Sequence, residues 1–522
     1  MSDAGATDQL LAVIQERGAD PFLIDAHDGR TLSYRQAHDR ACRLAGKLAA
    51  RDLEPGSRVL VSLPNGVELA LLYLAALYSG LTVIPLGPGF GVRELRSILA
   101  RSRARWMLYV PGSFTRAVDL AREAGIELVC VGDWSAADTE ADRSARREII
   151  PFAHSSPDDV VAIHFTSGTT GAPRGVGHRL ADFLGNARRL ARATGVGPES
   201  RFHATLPMTY LGGYYNLLLL PLALGASVVI DRPFDGRMAL DFWEVPIRRR
   251  VTVLWLVPTI MAMLLRMDRD ERGARYCREH VRLVAAGMGP LNTRMREQFE
   301  EVYGVPVLEN YGLAETLLAV SATQDRPPEA GACGSVLEDV RLRVVDEHGD
   351  ELPALDPGVI EVATPDMMAG YLDATGSGFE QRLRDGRWLD TGDLGILGAD
   401  GQLRITGRVK EVIVRGGLNI SALAVEEALA GRVGVERLAV VGVPHPILGE
   451  DTAVVVTCEP GVTLADVEDD LRKTAQQCLD PAQQPGLYVQ IDELPLTPSG
   501  KVRTQALREL VIDRFGLAPA RS

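Results

Sequence analysis

Between residues 34 and 110 the hydrophobic period of the chain keeps switching, and this switching limits the folds open to it. "YRQAHDRACRLAGKLAARDL" puts Ala37, Ala41, Leu44, Ala45 and Leu48 on one helical face, and "SRVLVSL" follows as a short β-branched run. A helix over 67–79, a strand over 82–86, a helix over 92–103 and a strand over 105–110 come next. Short strands alternating with helices are the pattern of βαβ units around a mostly parallel sheet. The alternation resumes at 160–166, 178–194, 226–230, 237–249, 252–256 and 291–303. Beyond residue 330 the texture changes: "VRLRVVDEHGDEL" and "GVIEVAT" read as strands, and "LGADGQLRITGR" as a hairpin about Asp400-Gly401. From residue 411 a further set of strands and helices begins, long enough to form a domain of its own. The expected fold is α/β, α+β in parts, with a boundary at "GRVK" (407–410).

Composition narrows the function classes. At 522 residues the chain exceeds one simple core. A net charge of −13 repels nucleic acid and anionic membrane, and only 6% aromatics leaves little stacking surface for single strands. The basic runs at 188–195 and 247–250 read as solvated helix faces, so no nucleic-acid partner is expected. Cys42, Cys130, Cys277, Cys333, Cys458 and Cys478 form no CxxC pair and have no histidine cluster beside them. That argues against zinc and against a disulfide framework, and it fits a reducing, cytoplasmic setting. The first residues, "MSDAGATDQL", lack the basic and apolar regions of a signal peptide. The apolar stretch 69–87 is broken by Gly80, so no membrane span is expected.

Residues 166–176, "TSGTTGAPRGV", follow the apolar run "DDVVAIHF". Glycines allow close backbone approach to a ligand, and successive N–H groups with hydroxyls make a nest for phosphate oxygens. Strand-to-helix turns in open α/β sheets are where ligands bind, and the loop is expected at such a turn. Its spacing is neither a P-loop nor GxGxxG.

This string resembles the phosphate loop, TSGTTGxPKG, of the adenylate-forming superfamily: acyl- and aryl-CoA synthetases, amino-acid adenylation domains and firefly-type luciferases. Thr166, Ser167, Gly168, Thr169, Thr170 and Gly171 match as they stand, and Arg174 replaces the usual lysine. The resemblance implies that this loop holds the β- and γ-phosphates of ATP. Arg174 would then help hold the leaving pyrophosphate, and Arg174→Lys is expected to be mild. Four more segments match in the same order. "NYGLAET" (310–316) implies nucleotide binding by Asn310, Tyr311 and Gly312, with Tyr311 against adenine and Glu315 ligating Mg²⁺; Ala314 stands where the family has threonine. "WLDTGDLG" (388–395) implies that Asp393 accepts from both ribose hydroxyls. "GRVKEVIVRGG" (407–417) implies that Arg408 reaches ribose or phosphate, that Lys410 is the hinge, and that Gly416 and Gly417 lie near the acceptor's path. "PLTPSGKVRT" (495–504) implies that Lys501 is the mobile catalytic cation between the α-phosphate and the attacking carboxylate.

By the same resemblance the chain divides into a large multi-subdomain N-terminal domain (1–407), a hinge (408–410) and a small mobile C-terminal lid (411–522). "LPMTYLGG" (206–213) aligns with the family's PxxHxxG element, so Tyr210 takes the place of a gate histidine with a catalytic role. Leu211 stands where amino-acid-activating relatives carry an aspartate, so a free α-amino acid, whose ammonium would be buried unpaired, is an unlikely substrate. Tyr214, Trp255, Gly287 and Met288 are the other candidate walls of the acyl pocket, which implies an apolar, aromatic or alicyclic acid. The implied cofactors are ATP and Mg²⁺, with CoA as co-substrate. Ala422 and Ala424 depart from the family's Pro-x-Glu after the hinge glycines, and this leaves an amine or a carrier-protein thiol open as the acceptor. A homodimer is also left open, and so is a non-catalytic nucleotide sensor of the same fold.

Overall fold

The computed structural model describes residues 5–132, 134, 151–152, 156–166, 173–268, 270–289, 291–323, 326, 328–329, 331–497 and 501–517. The expected α/β alternation is present. Ser33 starts the helix Tyr34–Ala49 with a capping box: its hydroxyl accepts from Gln36 N, and the Gln36 side chain accepts from Ser33 N. Such a cap is worth about 1 kcal/mol. Ala37, Ala41, Ala45 and Leu48 are buried as their spacing predicts. The next helix, Val67–Tyr78, is buried all round, and Gly80 (φ +67°) turns the chain into the strand Thr82–Pro85. No helix among the described residues is long and apolar enough to cross a membrane.

Two large sheets carry the N-terminal part. One has eight strands, with Arg58–Ser62, Thr82–Pro85, Trp106–Tyr109 and Glu127–Cys130 parallel to one another. The other runs through thirteen strands and changes character at Val307–Leu313. That strand pairs parallel with Leu283–Ala286 on one side and antiparallel with Leu317–Ser321 on the other. The βαβ portion therefore passes into the β-rich portion along a single strand. Gly312 lets that antiparallel pair close, because a Cβ there would overlap the Leu317 carbonyl.

Two expectations are corrected. Residues 174–179 form a strand antiparallel to Val160–Thr166, with Thr166 opposite Arg174. The glycine-rich segment thus closes a strand-to-strand hairpin, not a strand-to-helix turn, and the helix begins at Leu180. "RGVGHR" has one β-branched residue and two glycines, so it carries no period-2 signal; the neighbouring strand supplies its ladder. Residues 237–249 are not one helix but a turn at Met238–Leu240 and a helix at Glu244–Arg249. Asp241, at φ −126° and ψ 14°, lies outside helical geometry and separates the two. The element expected at 252–256 is present as the strand Val253–Leu256, and the helix Pro258–Met267 follows it with a proline in its first turn.

Beyond Arg408 a short turn, Val409–Glu411, leads into a five-stranded sheet with helices Ala422–Leu429, Leu464–Cys478 and Thr504–Phe515. This module has its own cores, one around Val425, Leu429, Val454 and Leu471 and another around Val455, Leu507 and Val511. Glu426 sits in it with its carboxylate accepting from Val440 N at 2.7 Å. Burial pushes Glu426 up to about 7, against the Val440 bond and with the help of Glu411 and Glu427. A raised carboxyl pKa stabilises the fold below the unfolded value, and that stability is lost as pH rises through about 7. Glu426→Gln keeps the acceptor and removes the charge. It should melt about 2 °C higher than the wild type at pH 8 and no higher at pH 5, read by calorimetry at both pH values.

Candidate active site

The antiparallel pair Leu389–Leu397 and Gln402–Arg408 places Asp393 opposite Arg408. Asp393 is 5% exposed. Its Oδ1 accepts from Arg408 Nε at 2.6 Å, and its Oδ2 accepts from Tyr311 Oη at 2.9 Å. Burial alone would lower the Arg408 pKa; Asp393 more than offsets this, and the guanidinium is held above its ordinary value. Burial also raises the Tyr311 phenol well above its usual range, and Asp393 adds to that, so Tyr311 remains a donor. Each carboxylate oxygen has a further lone pair to offer a hydroxyl.

Asn310 precedes Tyr311 and is buried. Its Nδ2 donates to the carbonyls of Ala286 and Leu308, while its Oδ1 has no partner among the described residues. An orphaned acceptor beside the Tyr311–Asp393 pair fits an amine donor such as that of adenine. Gly287 abuts the same residue, and a Cβ there would come within 3.1 Å of Asn310 O.

Glu315 lies in the turn between Val307–Leu313 and Leu317–Ser321, and its Oε1 accepts from Tyr371 Oη at 2.8 Å. Arg174 stands over the same ring, with its Cζ 5.5 Å from the centroid. No group of three or more His, Cys, Asp or Glu among the described residues converges as a metal cluster. A single carboxylate shared with substrate phosphates is nevertheless the arrangement Mg²⁺ takes. Thr166 and Arg174 bracket the glycine-rich loop; Ser167, Gly168, Thr169, Thr170 and Gly171 lie outside the described residues.

Lys501 enters the cleft from the C-terminal module. Its turn is pinned by Thr497 N donating to Lys501 O at 2.7 Å, by Lys501 N donating to Thr497 Oγ1, and by the Leu496–Val502 bridge. Arg503 Nη2 donates to Gly89 O at 2.8 Å and docks the turn on the N-terminal part. Lys501 as a whole is exposed, but protein crowds its ammonium: desolvation lowers its pKa, Arg408 pushes the same way, and Asp393 and Glu411 push back. Tyr210 lies beside this turn. Its ring stacks on Phe90 at 6.2 Å, and its phenol is pushed up to about 12 by burial, with Arg503 opposing and Glu94 assisting.

The expected acyl-pocket residues divide. Leu211 and Met288 are half-buried, and a Cβ on Gly212 would overlap Met288 Sδ, so the two segments meet there. Tyr214 and Trp255 are instead enclosed in the main core. Tyr214 packs on Tyr73, His164 and Phe183, and Trp255 lies within a strand paired on Ala285. Tyr214 is held there by a π-helical segment, Gly212–Leu219, whose residues are all buried. Lys410 is exposed in the turn Val409–Glu411. Gly416 and Gly417 turn the hairpin of the C-terminal module, where Gly416 N donates to Leu448 O. Tyr371, Phe90 and Arg503 escape sequence reasoning, because nothing in their spacing marks them.

Asp393 with Tyr311 and Arg408, and Glu315 with Tyr371 and Arg174, thus form two carboxylate–tyrosine–arginine groups, with the Lys501 turn of the second module near the first. Residues 11–372 match the AMP-binding enzyme family, and residues 424–501 match the AMP-binding enzyme C-terminal domain. Sulfoacetate–CoA ligase of Cupriavidus necator is 33% identical over 95% of this chain and 96% of that protein. The 3-[(3aS,4S,7aS)-7a-methyl-1,5-dioxo-octahydro-1H-inden-4-yl]propanoyl:CoA ligase of Rhodococcus jostii is 31% identical over 92% of this chain and 93% of that protein. ATP-bound MatB from Rhodopseudomonas palustris superposes with a TM-score of 0.85 at 28% identity, covering 98% of this chain and 100% of that one. The chain belongs to the AMP-binding enzymes, the adenylate-forming superfamily of AMP-forming carboxylate ligases. Tyr311→Phe removes the hydroxyl that holds Asp393. AMP affinity should fall about tenfold by titration calorimetry, the size expected for a hydrogen bond to a buried charge.

Proposed function

We propose that this enzyme activates a carboxylic acid as acyl-AMP and then passes the acyl group to the thiol of CoA. The observation that carries this reading is Lys501, brought from the C-terminal module to the Asp393–Arg408 pair. In the first step a carboxylate oxygen bonds to the α-phosphorus of ATP, the α–β P–O bond breaks, and pyrophosphate leaves. Two anions must approach, so a cation at the transferring group lowers the barrier, and Lys501 supplies it. Asp393 holds the ribose, Asn310 the adenine, and the loop from Thr166 to Arg174 the departing phosphates. Glu315 would hold Mg²⁺, which supplies neutralising charge at the phosphates when bound.

In the second step the CoA sulfur bonds to the acyl carbon, the acyl–phosphate C–O bond breaks, AMP leaves, and the thiol proton passes to solvent. We place the large domain at 1–407, the hinge at 408–410 around Lys410, and the lid at 411–522. Turning the lid would withdraw Lys501 and bring Gly416 and Gly417 to the acceptor's path. The relatives named as CoA ligases support the thiol acceptor. The acid carries no α-ammonium and has an apolar, aromatic or alicyclic body. Tyr210, Phe90, Leu211 and Met288 offer no carboxylate, and Glu94 is engaged at Gly91 N.

The enzyme should catalyse carboxylate-dependent exchange of pyrophosphate into ATP. Lys501→Ala should lower that exchange roughly a hundredfold and spare transfer from supplied acyl-AMP. Equal loss of both steps would sink the lid's role. Mass analysis of products from acyl-AMP offered CoA or amines decides the acceptor, and an amide as sole product would replace CoA. The lowered Lys501 pKa fixes one sign: the working cation is lost as pH rises past that value. The alkaline limb of adenylation should therefore fall below the ~10.4 of an ordinary lysine, read from the pH dependence of exchange.

A further inference from the structure

One side chain joins the acidic and basic ends of the phosphate region. The strand Gly370–Leu372 lies beside Arg174–Arg179, with Tyr371 opposite Val176. Just before it, Met368 N donates to Glu315 O at 2.9 Å and Ala369 N donates to Gly177 O at 2.8 Å. This segment therefore stitches the Glu315 turn to the strand that leaves the glycine-rich loop. Tyr371 completes the link with its side chain: the hydroxyl donates to Glu315 Oε1 at 2.8 Å, and the ring lies under Arg174. Met367, Met368 and Leu389 pack around it with Val176.

We infer that Tyr371 is a positioning residue for the pyrophosphate end of the nucleotide. It fixes the carboxylate of Glu315 and the guanidinium of Arg174 at a set separation. A phenylalanine would carry the cation but leave the carboxylate free to turn; an aliphatic residue would do neither. The ring also gives a reason for arginine at 174. A planar, weakly hydrated guanidinium stacks on an aromatic face better than a compact, strongly hydrated ammonium does. The sequence alone makes Arg174→Lys a mild change; the stack makes it a costly one.

The inference rests on the reading that this cleft binds ATP with Mg²⁺, so the test separates the two. ATP and AMP binding to the full chain are measured by titration calorimetry, with and without Mg²⁺. In Tyr371→Phe the gain in ATP affinity that Mg²⁺ brings should shrink about fivefold, while AMP binding stays at the wild-type value. Arg174→Lys should weaken ATP binding about threefold in the wild-type background and less than twofold in Tyr371→Leu. An unchanged Mg²⁺ gain in Tyr371→Phe, or strict additivity of Arg174→Lys with Tyr371→Leu, overturns the inference. So does an equal loss of AMP binding, which would mark general damage. A wild type that binds neither nucleotide overturns the proposed function, and this inference with it. Should the Tyr371 variants fail to fold, Arg174→Lys and Glu315→Gln carry the test: an Arg174→Lys effect that falls below about twofold in the Glu315→Gln background supports the link, and an undiminished effect overturns it.

Discussion

The enclosed carboxylate of Asp393 is held at both oxygens, and the two groups that hold it come from different parts of the chain. Tyr311 belongs to the strand on which the parallel sheet gives way to the antiparallel one. Arg408 ends the last strand before the turn into the C-terminal module. The central sheet, the β-rich portion and the module boundary are therefore tied at one anion. Removing Arg408 would leave that carboxylate short of its counter-ion, a defect that costs up to about 3–5 kcal/mol in a fully buried pair and less with Arg408 half-exposed. Losing the Tyr311 hydroxyl removes one hydrogen bond to a charged group, about 1.5–3 kcal/mol. Under the proposed function, Lys501 would work beside this same carboxylate.

Much of this was legible in the sequence. The strands Val435–His445 and Gly449–Cys458 and the helix Leu464–Cys478 stand close to where they were expected, because each is long enough for its apolar pattern to be read. Asp393, Arg408 and Lys501 came from ordered motifs, and the structure brings them together. The hairpin around the glycine-rich loop was not legible, since its second strand owes its existence to pairing and not to its own residues. Tyr371 and Arg503 were missed for a related reason. Their partners lie 56 and 414 residues away, and no local pattern encodes such a meeting.

Around the acyl side the structure tightens the reading. Tyr214, which follows Gly212 and Gly213, was expected as a wall of the acyl pocket. Those glycines instead begin a π-helical stretch that packs Tyr214 against Tyr73 and His164. His164 and His178 lie on the two strands flanking the loop, with burial lowering both pKa values, to about 3 for His178, so they are neutral packing groups at working pH. What remains at the cleft is Tyr210 with Phe90 and the contact between Met288 and Gly212.

The attachment of the C-terminal module has a consequence for timing. Its polar links to the rest of the chain include Arg503 to Gly89 O, Arg437 to Thr259 and the half-exposed pair Arg266–Glu436. Contacts of this kind are each worth about 1 kcal/mol or less net. A latch so light can be released by ordinary thermal fluctuation within microseconds to milliseconds. It can also be biased by one charged ligand. Under the proposed function, the posture of Lys501 would then be set by which phosphates are bound, and the departure of pyrophosphate would itself act as the signal to let go.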